Sequence, residues 1–302
     1  MAIRTVIAGP LQLPLTNEAA RPWCEALEAG EMVELGPTPV AFSEAELAFL
    51  RGGMNLGTAH KNIAYRPRQD RLTGLSGAGA AEAAQMQALM RRFSGAALDF
   101  LRRFLSPYRF DVDYASFRPL EEQGRPAKLN ARNDLLHVDS FPTRPSRGRR
   151  ILRFFVNVNA SEPRVWKTGP AFPELARALA AESGLLDQYR RERGRAAPAR
   201  AVVELLCRCG LANQFRPPYD RFMLSFHDWL KANAEFQNQP HTITEFAPMT
   251  AWMCFTDTVS HAVLRGRLAL EQTVLVLPES LQAPSSAPRA VLETLAGIRP
   301  GG

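Results

Sequence analysis

Apolar and polar positions follow two different periods along this chain, and the first hundred residues carry mainly the helical one. From Ala80 to Leu105 apolar residues recur at intervals near 3.6, which predicts a long helix that ends before Pro107. Ser43-Glu44-Ala45-Glu46 has the pattern of a capping box, so another helix should begin there and stop at Gly52-Gly53. We therefore expect residues 1–105 to be mainly helical.

Strand patterning dominates two later segments, and a helical segment separates them. Short apolar runs bounded by loops occupy residues 106–169 and return over residues 240–280. Residues 170–239 are rich in Ala, Leu, Arg and Glu, which predicts two or three helices. This order predicts an α+β protein whose core is a double-stranded β-helix (a jelly-roll or cupin-like fold) with N-terminal helices and a helical insertion between its two halves. We interpret residues 1–302 as one domain, because 46% apolar content at this length suits a single large core.

The motif His137-Val138-Asp139 is the first candidate for chemistry. In a β-strand, residues i and i+2 point to the same side, so both side chains can reach one metal ion. On a helix the same spacing would place them on different faces. Residues 135–142 read as a short apolar strand that runs into a loop with Pro142, which is the required context. The spacing by itself is weak evidence, because it occurs by chance in many chains.

Few histidines are available to complete such a site. The chain has five of them: His60, His137, His227, His241 and His261. His261 begins a segment that predicts a strand, a glycine-containing turn and a second strand, where a third ligand can lie. His241, in a loop after Pro240, is the alternative third ligand, and His227 lies in a predicted helix where capping or surface packing is expected. Two histidines and one carboxylate would form the facial triad of a non-haem iron(II) oxygenase.

Longer runs around these residues resemble the family of hydroxylases that act on 3-deoxy-D-manno-oct-2-ulosonic acid (Kdo). The runs are Leu136–Thr143, Gly148–Asn159, Pro163–Trp166, Val259–Leu264 and Glu271–Thr273, with His60–Pro67 nearer the N-terminus. The resemblance extends from about residue 55 to residue 280. It implies a single catalytic domain that hydroxylates C3 of Kdo in bacterial lipopolysaccharide to give Ko. It further implies Fe(II) as the cofactor, 2-oxoglutarate and O2 as co-substrates, and ascorbate as a stimulant.

The same resemblance suggests where the substrate binds. The candidate substrate-binding residues from the N-terminal run are His60, Lys61, Asn62, Tyr65 and Arg66. Arginines also gather around the metal motif, and Arg144 is the one we assign to the substrate. A guanidinium group suits bidentate recognition of carboxylate and phosphate, and a Kdo-bearing lipid A precursor carries both groups.

The co-substrate requires a cation for its distal carboxylate. Many enzymes of this superfamily place that cation shortly after the distal histidine, where this chain has Leu270–Gln272 and so departs from the pattern. Arg153, on the strand predicted after the metal motif, is our first candidate, and Arg267 is the second. Gln272 or Thr273 could add a hydrogen bond. The alternative for Arg153 is a solvent-exposed position on the outside of the barrel.

A net charge of +7 indicates an anionic partner without identifying it. No stripe of interleaved aromatic and basic residues is present, so we expect no nucleic-acid partner. No apolar run approaches the ~20 residues that span a bilayer, and the N-terminus does not have the pattern of a secretory signal. We expect a cytoplasmic protein in peripheral contact with the anionic inner face of the inner membrane, where a Kdo-bearing lipid A precursor is its partner.

Three other functions remain open from the sequence. The first is a 2-oxoglutarate dioxygenase that acts on a protein or a nucleic-acid base. The second is a cupin-like metal binder or isomerase, which usually has a richer histidine cluster. The third is a non-enzymatic jelly-roll binding domain, in which the three ligand-type residues would be coincidental.

Overall fold

The computed structural model describes residues 4–7, 11–52, 62–75, 77–124, 127–194 and 216–298. The strands within these residues are β1 (Arg4–Ile7), β2 (Met32–Leu35), β3 (Ile63–Arg66), β4 (Arg71–Thr73), β5 (Phe110–Arg118), β6 (Arg150–Asn157), β7 (Arg164–Ala171), β8 (Thr242–Phe246), β9 (Ala251–Phe255), β10 (Val259–Arg265) and β11 (Ala269–Val276). The α-helices are α1 (Asn17–Glu28), α2 (Glu44–Arg51), α3 (Ala80–Phe104), α4 (Phe172–Leu179), α5 (Leu185–Gly194), α6 (Pro218–Ala232), α7 (Ala234–Asn238) and α8 (Pro288–Leu295).

The strands form two sheets that enclose an interior. The larger sheet has the order β1-β2-β9-β6-β11-β5-β3-β4, and the smaller one has the order β10-β7-β8. Residue His137 adds a single antiparallel bridge to His261 on β10, so its segment lies at the edge of the smaller sheet. The strands β5, β11, β6 and β9 face this smaller sheet in the order expected of a jelly roll. This is the double-stranded β-helix that the sequence predicts.

Side chains alternate between the two faces of β6, and each face contacts a different apolar core. Leu152 and Phe154 belong to the cluster that packs under the N-terminal helices. Phe155 points the other way, toward the smaller sheet, where its ring centroid lies 5.0 Å from that of Trp166. Arg153 lies on the same face as Phe155, and only 11% of its side chain is exposed. The predicted inward face of this strand is therefore confirmed, and the solvent-exposed alternative is wrong.

The predicted N-terminal helices form where their sequence signals lie. In α2, Ser43 Oγ accepts a hydrogen bond from the Glu46 backbone at 3.2 Å, and a Glu46 carboxylate oxygen accepts one from the Ser43 backbone at 2.8 Å. This is the capping box that the sequence predicts. The apolar face of α3, which includes Phe93 and Leu101, packs into the core cluster beneath the larger sheet. These helices cover the outer face of that sheet and keep its strands from water.

Between the two halves of the jelly roll, the described residues 172–194 and 216–239 are mainly helical, as expected. Helices α4 to α7 lie there, and α4 to α6 share a core cluster with α8. Leu136 and Val138, on either side of His137, belong to this cluster. The insertion thus buries the outward side chains of the metal motif, and alternation turns His137 and Asp139 inward.

The N-terminal part also contains four short strands, which the helical prediction for residues 1–105 does not include. β2 pairs with β9 and β1 pairs in parallel with β2, while β3 and β4 extend the opposite edge beyond β5. Each has three or four residues, too few for a period to be recognised in the sequence, and the partners β9 of β2 and β5 of β3 are distant in the chain. None of the helices in the described part of the chain is both long enough and apolar enough to cross a membrane.

Candidate metal centre

The pairing of two chain segments brings the three predicted ligands together. The backbone N–H of His137 donates to the carbonyl of His261 at 3.1 Å, and the N–H of His261 donates back at 2.9 Å. The Asp139 backbone N–H donates to Thr256 at 2.7 Å, which keeps the motif extended through its second ligand. One donor atom from each of His137, Asp139 and His261 lies within 4.8 Å of the others. The predicted triad is therefore assembled in the interior.

The two histidines present unprotonated Nε2 atoms to this space. Nδ1 of His137 lies 2.7 Å from the Leu135 carbonyl, and Nδ1 of His261 lies 2.8 Å from the Val259 carbonyl. A carbonyl oxygen can only accept, so each Nδ1 carries the proton and donates. Burial lowers the pKa of both imidazoles below the ordinary value, which keeps them neutral. Neutral imidazole with Nδ1 held by a carbonyl is the usual form of a metal-binding histidine.

Asp139 supplies the negative charge. Burial opposes its ionisation, but the guanidinium of Arg153 together with His137 and His261 outweighs that effect, so the pKa of Asp139 lies well below its usual range. Its Oδ1 lies 3.6 Å from His137 Nε2, and its Oδ2 lies 3.1 Å from Arg153 Nη2. Within the described residues Oδ2 is buried and accepts no hydrogen bond. Two imidazole nitrogens and one carboxylate with unused lone pairs fit a divalent ion such as Fe(II).

Two aromatic side chains hold the ligand histidines in place. His227 on α6 lies edge-on to His137, with ring centroids 4.8 Å apart, and its Nδ1 lies 2.9 Å from the Val138 carbonyl. Trp166 on β7 stacks on His261, with centroids 5.0 Å apart. The surface or capping role that the sequence suggests for His227 is wrong, because the residue is buried. Nothing in the sequence indicates which face of α6 packs on the metal motif.

A pocket opens from the triad into the barrel. Besides the three ligands, it is lined by Arg118, Asn133, Arg153, Phe155, Arg164, Trp166 and Val263. Glu271 balances two of these arginines: it lies 2.8 Å from Arg118 Nε and 3.2 Å from Arg153 Nη1. Arg118 also pairs with Glu122 at 3.1 Å. The pocket therefore has cationic side chains in the same lining as the triad.

Arg164 differs from the other two arginines of the pocket. It is buried, and its Nη1 donates to the Gly266 carbonyl at 2.6 Å. Burial and the neighbouring Arg118 lower the pKa of this guanidinium to about 10, so it stays protonated at neutral pH. Its Nε is buried without a hydrogen-bond partner, and no salt bridge to it occurs among the described residues. Arg164 is not among the site residues predicted from the sequence, although alternation with Trp166 places both on one face of β7.

The other predicted co-substrate residues lie apart from this pocket. Arg267 is 59% exposed, and its Nε lies 4.0 Å from Glu162 on the surface. Gln272 is buried on the helix side of β11, where its Oε1 accepts from Ser94 Oγ at 2.7 Å. Thr273 is opposite Arg153 in the β11–β6 register but does not line the pocket. The structure thus brings Arg153 to the triad and leaves Arg267 and Gln272 outside.

The predicted substrate residues have different positions. His60 and Lys61 lie outside the described residues. Tyr65 is buried and donates to Asp70 at 2.8 Å, which makes it a structural side chain, and Asn62 precedes β3. Arg66 and Arg144 line a second pocket of the chain. Of the predicted substrate residues that the structure describes, only these two line that pocket.

Comparison with known proteins assigns this site to a family. The family model for 3-deoxy-D-manno-oct-2-ulosonic acid (Kdo) hydroxylase matches residues 12–299. The chain belongs to the Kdo hydroxylase family. A search of curated protein sequences gave no match.

Solved structures similar to this Kdo hydroxylase family member include several of KdoO. KdoO is described as a Kdo hydroxylase, a non-haem Fe(II) α-ketoglutarate-dependent dioxygenase. Its complex with α-ketoglutarate and Fe(III) is 30% identical to this chain in sequence, and the TM-score is 0.79. The match covers 97% of this chain and 96% of that chain. The cobalt(II) complex is likewise 30% identical, with TM-score 0.81 over the same shares. The complex with succinate and Fe(III) is 29% identical, with TM-score 0.79 over 98% of each chain. The predicted fold and the predicted class of enzyme, a non-haem dioxygenase, are confirmed.

Proposed function

We propose that this protein uses Fe(II), 2-oxoglutarate and O2 to hydroxylate C3 of Kdo in a Kdo-bearing lipid A precursor, giving Ko, with ascorbate as a stimulant. One observation carries the proposal. The buried His137, Asp139 and His261 present three unused donor atoms to one space, in a chain of the Kdo hydroxylase family. A jelly-roll binding domain without activity would have no reason to keep a charged carboxylate buried there.

His137, Asp139 and His261 would hold the iron from one side. When bound there, Fe(II) supplies the redox chemistry that couples oxidation of 2-oxoglutarate to succinate and CO2 with insertion of one oxygen atom of O2 into a substrate C–H bond. The protein itself orients the metal ligands. The Leu135 and Val259 carbonyls fix both imidazole rings, because each holds the Nδ1 proton of its histidine.

The walls of the pocket keep it dry and charged. Phe155 and Trp166 are buried and form its apolar side. Arg153 compensates Asp139, so the carboxylate is ionised and ready to bind a cation. A low-dielectric space strengthens every charge interaction inside it, which favours the binding of a dianionic co-substrate beside arginine.

Arg164 is the residue we assign to the distal carboxylate of 2-oxoglutarate. Arg153 and Arg164 both have a buried Nε without a hydrogen-bond partner, but Arg118 and Arg153 already pair with Glu271, whereas Arg164 has no carboxylate partner among the described residues. A buried donor without a partner is costly, and a carboxylate would satisfy it with a charge-assisted hydrogen bond. Arg153, the candidate from the sequence, is the second choice, and the exposed Arg267 the third.

The proposed subcellular location of the protein follows from its proposed substrate. We propose that the protein works at the cytoplasmic face of the inner membrane, in peripheral contact with anionic lipid. What supports this is the net charge of +7 together with a substrate that is itself a lipid. No nucleic-acid partner is part of the proposal.

The decisive experiment supplies the enzyme with Fe(II), 2-oxoglutarate, ascorbate and a purified Kdo-bearing lipid A precursor under labelled O2. We expect succinate to form in step with a lipid product that has gained one labelled oxygen atom, and the gain should lie on C3 of the sugar. His261→Ala is the matched inactive control. Lipid-independent turnover of 2-oxoglutarate, without any labelled lipid, would mean that the substrate is a different molecule.

A further inference from the structure

A second pocket beside the metal pocket has an excess of positive charge. Its charged lining residues are Arg66, Arg68, Asp111, Asp113, Arg144 and Arg149. Four guanidinium groups thus face two carboxylates. The pocket lies where β3 ends and β5 begins, next to the loop that follows the metal motif. Only Arg66 and Arg144 of this set are expected substrate residues from the sequence.

The two carboxylates are already engaged. Asp111 lies 3.0 Å from Arg68 Nη2 and also pairs with Arg149. Asp113, which is buried, lies 2.9 Å from Arg144 Nη2. Arg66 forms no ion pair among the described residues, and its Nε is buried without a hydrogen-bond partner. The pocket therefore contains one cation with a free, desolvated donor, which is the feature of an anion site that lacks its anion.

Aromatic rings hold the arginines in position and link this pocket to the metal pocket. The Arg66 guanidinium lies 4.9 Å from the Tyr114 ring centroid, and that of Arg144 lies 4.0 Å from it. Arg144 also lies 4.0 Å from the Phe141 centroid, and Arg153 of the metal pocket lies 5.6 Å from the same ring. A guanidinium stacked on a ring keeps its N–H groups free in the plane for an oxyanion. One aromatic residue therefore separates the two pockets.

We propose that this pocket binds a second oxyanion, a phosphate or a carboxylate, of the same substrate molecule whose sugar enters the metal pocket. The proposal rests on the function proposed above and adds a subsite to it. A phosphorylated lipid that carries an acidic sugar has several anionic groups, and fixing one of them at a distance from the reacting carbon orients the C–H bond. The subsite would thus set which sugar position reaches the iron.

The test compares Arg66→Gln with Arg265→Gln. Both remove one positive charge, but Arg265 is 62% exposed and lies outside both pockets. With holoenzyme and Kdo-bearing lipid A precursor, Arg66→Gln should raise KM about 10- to 100-fold, the loss expected of a charge-assisted pair. Binding of Fe(II) and 2-oxoglutarate should not change, and Arg265→Gln should stay within about twofold of wild type. Arg144→Lys, which keeps the charge beside Asp113 but removes the planar fork, should give an intermediate increase.

Two probes identify the group that binds. A bisphosphorylated lipid A precursor without Kdo offers only phosphate, and free Kdo offers only the carboxylate. If Arg66→Gln weakens binding of the Kdo-free lipid to the holoenzyme, the pocket takes the phosphate; if it weakens binding of free Kdo alone, the pocket takes the carboxylate. If Arg66→Gln binds each probe as tightly as the wild type does and its KM is unchanged, the proposed subsite is wrong. Because these binding measurements need no turnover, they separate failure of the subsite from failure of the proposed hydroxylation.

Discussion

His137 and His261 each commit the Nδ1 proton to a carbonyl two residues earlier in the chain, at 2.7 and 2.8 Å. The ring that results is neutral and points Nε2 toward Asp139. A histidine on the surface would titrate near its ordinary pKa and lose this property in mild acid. Burial and one backbone contact therefore convert an ordinary side chain into a ligand.

Removal of any one of the three ligands should abolish iron-dependent turnover. His137→Ala, Asp139→Ala and His261→Ala each leave two protein donors, which do not hold Fe(II) in a facial arrangement. Anaerobic Fe(II) titration and succinate release measure the loss. His241→Ala is the control, because His241 is exposed and, within the described part of the chain, its side chain has a hydrogen-bond contact only with the Gln239 carbonyl, at 3.2 Å. Normal iron affinity in His261→Ala would move the third ligand elsewhere.

Single substitutions rank the three arginines that are candidates for binding the distal carboxylate of 2-oxoglutarate. Arg164→Gln should raise the 2-oxoglutarate requirement about 10- to 100-fold, because a charge-assisted hydrogen bond to a buried carboxylate contributes roughly 1.5–3 kcal/mol. Arg153→Gln should have a smaller effect on 2-oxoglutarate, since its charge serves Asp139 and Glu271. Arg267→Gln is the exposed control. Steady-state kinetics in 2-oxoglutarate decide the order, and a larger effect of Arg153→Gln would return the role to that residue.

At the scale of elements, a buried ion network joins three neighbouring strands of the larger sheet. Glu271 on β11 pairs with Arg118 on β5 and with Arg153 on β6. These strands are adjacent through β11, which is antiparallel to both. The network places the charges of the metal pocket at fixed positions, because each partner is held by its own strand.

Glu271→Gln should destabilise the protein in a way that depends on pH. Burial opposes ionisation of Glu271, but Arg118 and Arg153 outweigh it and hold its pKa at about 2, below the ordinary 4.5. A lowered pKa in the native state contributes stability that is present above pH 4.5 and is lost as the pH falls toward 2. Urea denaturation should therefore show the largest difference from wild type at neutral pH, about 3–5 kcal/mol for a broken buried pair. A difference that does not change between pH 6 and pH 3 would contradict this account.

At the scale of the whole molecule, the net charge is the property on which the proposed contact with an anionic lipid surface rests. The chain has an excess of +7, and buried charges such as those of Arg118 and Glu271 pair with one another. Exposed arginines that form no ion pair among the described residues, such as Arg71 and Arg102, place part of that charge at the surface. Attraction of this kind acts over about 8–10 Å at physiological salt.

Binding to anionic vesicles should weaken steeply as salt rises. Each basic residue near an anionic surface contributes about 1 kcal/mol, and salt screens that contribution. Sedimentation with anionic vesicles at increasing salt measures it, with neutral vesicles as the control. Binding that is insensitive to salt would indicate a hydrophobic anchor, and no binding to anionic vesicles would leave capture of the substrate headgroup as the contact with the membrane.

The sequence by itself determined the features that depend on local spacing. The i, i+2 spacing of His137 and Asp139 requires an extended segment to bring both inward, and the segment is extended. Alternation placed Arg153 and Phe155 on one face of β6, and the capping box at Ser43 predicted the start of α2. These signals are readable because strand and helix periods are set by the backbone alone.

Only the tertiary structure decided which distant residues share the pocket. Arg153, Arg164 and Arg267 have the same side chain and similar neighbours in sequence, yet one is paired with carboxylates, one is buried with a free donor and one is exposed. His227 reaches His137 through the packing of α6, and the short N-terminal strands exist because an existing sheet edge completes their hydrogen bonds. Such contacts join segments a hundred or more residues apart in several cases, and their geometry depends on how whole elements pack, which no local period encodes.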